Sequence, residues 1–184
     1  MAVNTVSTNI HERLPIITNT AHCSRALALV EQGNIFIGIG KTSPWEGEND
    51  EGFVPPEPNP DAENLEELVG MKKADRVSLV VPDEYGDIEY AKIKFKTLTK
   101  DEALRQKSRW VLVESTIYYE ELPPVAYRQL GVFSRVQAKE GKDKNRILLA
   151  DDIEDVGILE VLANRKVTTR QSDTKDTFFM VIEC

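Results

Sequence analysis

A proline-rich stretch that directly follows an apolar run limits what this chain can fold into. Residues 34–40 read NIFIGIG, a short apolar run typical of a strand buried on both faces. Residues 41–60 then contain five prolines among acidic side chains. Proline lacks a backbone N–H, so closely spaced prolines cannot pair inside a sheet. We predict one structural domain over residues 1–184, in which residues 41–60, the Pro-rich segment, form an extended arm with polyproline II stretches.

The flanking residues predict helices and a close backbone contact. Residues 20–32 form a helix-favouring run with Asn19 or Thr20 as N-cap and Gly33 as the terminating residue. Gly38 and Gly40, in the first strand, predict close approach of another backbone. After the Pro-rich segment, Asp61 can cap a short helix through Met71, because glutamates lie near its start and lysines near its end.

The remainder of the chain reads mainly as β-structure. Six runs rich in β-branched and aromatic residues predict strands: residues 76–81, 88–95, 110–119, 127–136, 158–162 and 177–182. Within the second run the alternation breaks, which predicts a bulge near Ala91 or Lys92. Residues 100–107 predict one more helix, and residues 140–145 a charged loop. The fold class is therefore α+β: a largely antiparallel or mixed sheet with an N-terminal helix and a long Pro-rich loop after the first strand.

Composition and charge exclude several classes of protein. The net charge is −8, from 31 acidic and 23 basic residues, which disfavours nucleic acid as a partner. No apolar run approaches the roughly 18 residues that a membrane span needs. The first residues lack the basic start and apolar stretch of a signal peptide, so we expect the protein to be made in a cytoplasm and not exported by that route.

No pattern of reactive side chains points to catalysis, a cofactor or a metal. His11 and His22 have no partners at ligand spacing, and Cys23 and Cys184 are too far apart for a zinc or redox motif. The acidic residues of the Pro-rich segment lack the spacing of a calcium loop. Gly38 to Thr42 only superficially resembles a phosphate-binding loop, because position 35 is Ile and Pro44 blocks the following helix. We predict a non-enzyme; a small metal-dependent hydrolase, with His22 near acidic residues, stays as a lower alternative.

Residues 34–58 carry the most distinctive pattern, NIFIGIGKTSPWEGENDEGFVPPEP. A strand that ends in Gly-Lys-Thr, followed by Pro-Trp, Glu-Asn, Gly-Phe and Pro-Pro, resembles the small baseplate wedge protein of contractile-tailed, T-even-type bacteriophages. Residues 157–166 and 173–182 more weakly resemble that family's closing hairpin. The resemblance implies a structural subunit of the virion tail baseplate, present as a homodimer or in higher copy number and bound to other baseplate or tail proteins. It implies no catalytic residue. Another tail or neck structural or adaptor protein is the alternative.

Aromatic and proline residues in the Pro-rich segment suit a role in such contacts. Aromatic side chains anchor interfaces, and a proline-rich segment loses little conformational entropy on docking. The last strand is apolar on both faces, so we expect it to lie centrally in a sheet or under another subunit, with Phe179 and Val181 in the core. The predicted interface residues are Pro44, Trp45, Phe53, Pro55, Pro56, Phe178 and Met180. Whether Trp45 contacts a partner or its own sheet stays open from the sequence.

Overall fold

Two helices and twelve strands make up the part of the chain that the computed structural model describes, residues 15–171, 173 and 175–184. Residues 1–14, which include His11, lie outside the described residues. The helices are α1 (Asn19–Gln32) and α2 (Lys100–Gln106), and a 3-10 turn covers Ala150–Asp152. The strands are β1 (Phe36–Gly40), β2 (Gly70–Lys73), β3 (Arg76–Pro82), β4 (Ile88–Tyr90), β5 (Ile93–Thr97), β6 (Trp110–Ile117), β7 (Ala126–Ser134), β8 (Gln137–Ala138), β9 (Ile147–Leu149), β10 (Ile153–Asp155), β11 (Ile158–Thr169) and β12 (Asp176–Glu183).

The strands form two five-stranded sheets and a small two-stranded one. The first sheet has the order β11-β7-β1-β2-β9, the second the order β12-β6-β3-β5-β4, and β8 pairs with β10. Every strand pair in the described residues is antiparallel. Side chains from both sheets and from α1 meet in one apolar core, represented by Ile37, Leu130, Val113, Met180 and Leu29. The α+β prediction is confirmed.

Helix α1 follows the sequence prediction closely. The predicted N-cap, Asn19 or Thr20, is wrong: the N-cap is Thr18, whose side chain accepts a hydrogen bond of 3.2 Å from the N–H of Ala21. Gly33 ends the helix at φ 66°, a left-handed conformation that glycine adopts without steric penalty. Helix α2 is also confirmed, with Thr99 and Glu102 forming a capping box.

The predicted helix from Asp61 to Met71 is wrong. Residues 61–69 form turns, and Gly70–Lys73 is strand β2, which lies between β1 and β9. The N–H of Val69 donates to the carbonyl of Ile39 at 3.0 Å, so this backbone continues the pairing with β1. The free edge of β1 supplies long-range hydrogen bonds that outweigh the helix propensity of the local sequence.

The glycine prediction is confirmed at Gly40, and the bulge prediction is wrong. A Cβ atom at Gly40 would lie 2.7 Å from the carbonyl oxygen of Glu66, so the backbone of the turn region approaches this strand closely. At Ala91 and Lys92 the chain makes a hairpin turn between β4 and β5, with φ of 50° and 66°. Positive φ at two consecutive central residues matches a tight hairpin turn whose twist suits the flanking strands.

The side chains of β12 point opposite to the prediction. Phe178, Met180 and Ile182 lie in the core, whereas Phe179 is 44% exposed. Strand β12 is not central either, since it pairs only with β6 among the described strands. Its outer face joins a smaller cluster of β3, β5 and β6 side chains through Val181, and the rings of Phe179 and Tyr90 meet at 6.1 Å. Both faces of the strand therefore have apolar neighbours within the chain.

Candidate partner-binding surface

The Pro-rich segment begins at a turn that one carboxylate organises. Glu67 accepts hydrogen bonds from the backbone N–H groups of Thr42 at 2.9 Å and Ser43 at 2.8 Å, and from both hydroxyls. These donors stabilise the charged form, with the Ser43 and Thr42 hydroxyls contributing most, and lower the pKa of Glu67 to about 2. The start of the segment at Thr42 and its return at Glu67 are thereby held together.

A buried ion pair fixes the middle of the segment to the first sheet. The Glu48 carboxylate accepts from Arg128 Nε at 2.5 Å and from Arg128 Nη2 at 2.6 Å, and Arg128 Nη1 donates to the carbonyl of Thr42 at 2.6 Å. The two side chains are only 11% and 6% exposed, respectively. The hydrogen bonds from Arg128 lower the pKa of Glu48. This bidentate geometry fixes the orientation of the segment as well as its position.

Trp45 and Pro56 contact strand β11. The Trp45 indole N–H donates to the carbonyl of Arg165 at 3.1 Å, and the Asn164 side-chain amide donates to the carbonyl of Pro56 at 3.0 Å. Both contacts fall where the pairing of β11 with β7 shifts register, between Asn164 and Thr168. Such an irregularity leaves backbone carbonyls free to accept from other groups. Within the isolated chain, Trp45 thus packs on its own domain.

The opposite side of the Pro-rich segment faces solvent. Val54 is 76% exposed, Pro44 and Pro56 are exposed, and Phe53 and Pro55 are half-buried. The segment therefore presents an apolar and proline-rich ridge made of the exposed residues Pro44, Val54 and Pro56, with Phe53 and Pro55 partly exposed beside them. Trp45 instead faces strand β11. Apolar side chains held outward by a firmly attached backbone are suited to contact another protein surface.

Phe178 and Met180, the other two predicted interface residues, lie elsewhere. They are 7% and 5% exposed and belong to the core between the sheets, so they offer a partner very little surface. Both also line one wall of a cleft of about 390 Å³ between β12 and β11. Arg165 lines the same cleft, and its carbonyl accepts from Trp45. The Pro-rich segment and the cleft are therefore neighbours on one side of the molecule.

Sequence reasoning missed Arg128 and Glu48, the pair that holds the segment in place. One signal was available: Arg128 is a charged residue inside an otherwise strand-like run. Arginine in a buried strand generally needs an ion-pair partner. Its partner lies 80 residues away, and nothing local points to Glu48.

The remaining reactive side chains are dispersed. Within residues 15–171, 173 and 175–184, no three His, Cys, Asp or Glu side chains come together in a way that would hold a metal ion. His22 contacts the Cys184 carbonyl through Nδ1, and Cys23 is buried. Burial raises the pKa of the Cys184 thiol. None of the helices in the described residues has the length and apolar character to cross a membrane.

Comparisons with known proteins agree on one class. A family model described as "Baseplate wedge 3 tail fiber network component" matches residues 14–184. Virion protein 3 of Enterococcus phage phiEF24C is 32% identical over 179 residues, which cover 92% of this chain and 96% of that protein. The chain is thus a structural component of a bacteriophage tail.

Within that class, the chain belongs to the family of baseplate wedge 3 tail fiber network components. The resemblance to baseplate wedge proteins of contractile-tailed phages is confirmed, and with it the location in the virion. As a baseplate component, the protein interacts with other baseplate proteins.

Proposed function

We propose that this protein acts in the baseplate wedge by protein–protein packing, with the outward side of the Pro-rich segment docked on a neighbouring tail protein. The observation that carries the proposal is the Glu48–Arg128 pair, which anchors the segment while Val54 stays 76% exposed. An anchored segment has already lost most of its conformational freedom, so docking requires little further ordering. Prolines 44, 55 and 56 restrict it further.

The role is structural and not catalytic. Membership in a family of structural virion proteins supports this, as does the dispersion of the His, Cys and acidic side chains in the described residues. The partners are other baseplate or tail proteins. A homodimer or higher copy number in the virion accords with the repeated architecture of a tail, because symmetric assemblies reuse one interface many times. The net charge of −8 disfavours DNA as a partner, and we place assembly in the host cytoplasm.

The test is a charge placed on the exposed ridge. Val54→Asp adds a carboxylate where the side chain touches little of its own domain, so we expect the thermal midpoint of the isolated chain to stay the same. Burying that charge in an interface is unfavourable, so the variant should be depleted in purified tail particles. Mass spectrometry of particles assembled from equal amounts of wild-type and variant chains gives the ratio directly. We expect the variant to be reduced at least about tenfold, as loss of roughly 1.4 kcal/mol would produce.

Tyr85→Asp is the matched control. Tyr85 is 88% exposed in the turn between β3 and β4, outside the Pro-rich segment. It should enter particles as the wild type does. Equal incorporation of Val54→Asp and wild type would refute docking through the ridge, provided that both chains are folded in solution.

A further inference from the structure

Strands β11 and β12 are both edge strands, and a cleft runs between them. Each terminates its five-stranded sheet, and the described part of the chain pairs no second strand with β12. The cleft of about 390 Å³ is lined by both Phe178 and Phe179, consecutive residues that point to opposite faces of β12. A cleft that touches both faces of a strand follows its backbone edge. The unpaired N–H and C=O groups of β12 therefore border this space.

One buried polar atom in the cleft is poorly satisfied. Tyr127 is 0% exposed, and its hydroxyl makes no hydrogen bond of standard geometry within the described residues, although the Thr168 side chain of the same cleft interacts with it. An unsatisfied buried hydroxyl is unfavourable and uncommon in native structures. Burial raises the pKa of Tyr127 to about 12, so the group is a neutral O–H donor at physiological pH. The cleft thus contains a buried donor that has only a weak contact with Thr168 and can donate to a better-placed acceptor from a partner.

Two cations lie beside that donor. The Arg165 guanidinium is 5.8 Å from the centre of the Tyr127 ring, and Lys175 lines the same cleft. Neither forms an ion pair with any described carboxylate, whereas Asp176 is already bound by Arg170 at 2.5 Å. In a chain of net charge −8, this is a local concentration of unpaired positive charge. A carboxylate from a binding partner would pair with this positive charge.

We propose that the cleft binds an extended segment of another tail protein, which adds as a strand to the free edge of β12 and places an Asp or Glu carboxylate against Tyr127, Arg165 and Lys175. This inference rests on the proposed function as an assembly subunit and adds a second docking site beside the Pro-rich segment. Main-chain hydrogen bonds to β12 give the segment its affinity, and the carboxylate gives it register. Phe179, which is 44% exposed, and the half-buried Tyr90 provide apolar contact for its other side chains.

A second copy of this chain fits the cleft less well. If two β12 strands paired, the carboxylates brought by the second copy would be Asp176 and Glu183. Asp176 is bound by Arg170, and Glu183 by Arg109 at 2.6 Å. Neither is free to satisfy the Tyr127 hydroxyl. The charge complement therefore favours an acidic strand from a different protein.

Tyr127→Phe separates this role from a merely structural one. The substitution removes an oxygen that forms no hydrogen bond of standard geometry in the isolated chain, so the thermal midpoint should change little or rise. If the hydroxyl binds a partner carboxylate, the variant should be depleted about tenfold in tail particles assembled in competition with wild type. Arg165→Gln should show the same depletion. Tyr90→Phe is the matched control, because Tyr90 lines the cleft but is not fully buried, and it should be incorporated normally.

A photoreactive amino acid at Thr177, on the cleft edge of β12, identifies the occupant in assembled particles. We expect an adduct to an Asp- or Glu-containing segment of another tail protein. An adduct to this chain's own β12 would overturn the inference in favour of a second copy. Normal incorporation of Tyr127→Phe and Arg165→Gln would also overturn it. If Val54→Asp were depleted from tail particles while Tyr127→Phe and Arg165→Gln were incorporated normally, docking through the Pro-rich ridge would be supported and docking in the cleft would not.

Discussion

Gly38 of β1 lies directly opposite Gly131 of β7, and Leu65 packs on the backbone of both. A Cβ atom at Gly131 would lie 2.9 Å from Leu65 Cδ2, and one at Gly38 would lie 3.5 Å from Leu65 Cδ1. Because neither glycine has a side chain, the first sheet has a shallow depression on its outer face at this pair. Leu65, only 4% exposed, packs there together with the Phe133 ring, whose Cε2 atom would lie 2.9 Å from a Cβ atom at Gly38 and 2.8 Å from one at Gly131. Leu65 thereby holds the end of the long β1–β2 connection against the sheet.

Leu65→Ala should therefore destabilise the fold although the residue lies outside any helix or strand. We expect the free energy of unfolding to fall by about 2–4 kcal/mol, since removing most of the Leu65 side chain would leave a cavity against the sheet. Urea denaturation measures the change. Leu104→Ala, at a helix position that is 49% exposed, is the matched control and should change stability by less than about 0.5 kcal/mol. Equal losses in the two variants would contradict the packing role of Leu65.

Glu48→Gln should loosen the Pro-rich segment. The substitution leaves the buried Arg128 guanidinium without a counter-charge, which disfavours the anchored position. We expect limited proteolysis within residues 41–60 to accelerate on the order of tenfold, as loss of one charged hydrogen bond would produce. Glu46→Gln, an exposed change in the same segment, should leave the cleavage rate as in wild type. If both variants were cleaved at the wild-type rate, the ion pair would not be the anchor.

The stability that the Glu67 carboxylate contributes at the start of the Pro-rich segment should decrease at acidic pH. Its pKa is about 2 in the folded chain against an ordinary value of 4.5, because Ser43 and Thr42 donate hydrogen bonds to the charged form. The stabilisation is therefore complete above about pH 4.5 and is lost as the pH falls toward 2. Urea midpoints of wild type and Glu67→Gln should differ at pH 6 and converge near pH 2. Glu57→Gln, exposed in the same segment, is the control. A wild-type advantage that did not shrink with pH would argue against this carboxylate.

Met180→Lys tests the orientation of β12. Met180 is 5% exposed in the core, so the substitution buries an unpaired charge and should lower the unfolding free energy by more than about 3 kcal/mol. Thr177→Lys, exposed on the same strand, should cost less than about 1 kcal/mol. Circular dichroism during thermal unfolding distinguishes the two. A folded, monomeric Met180→Lys chain would mean that this face is a subunit interface and not part of the core.

Local patterns were sufficient for elements whose stabilisation is local. Helix α1 ends at Gly33, and α2 begins with its capping box at Thr99, because capping depends on residues within one turn. The apolar run at β1 was recognised as a buried strand because it is apolar on both faces. The baseplate family was likewise recognisable from the ordered pattern of residues 34–58, which the family match confirms.

Long-range contacts decided the remainder. Residues 70–73 have a helix-compatible sequence, but hydrogen bonds to β1 and β9 make them a strand. The direction of the β12 side chains follows from the register of β12 with β6, in which Met180 lies opposite Val113. Because β12 is apolar on both faces, its own sequence does not indicate which face points into the core. Glu48 and Arg128 meet across 80 residues of sequence. Local propensity specifies which residues begin, end or extend a helix or strand. Which faces of that helix or strand are covered depends on the chain segments that fold against it, and only the tertiary structure brings those segments together.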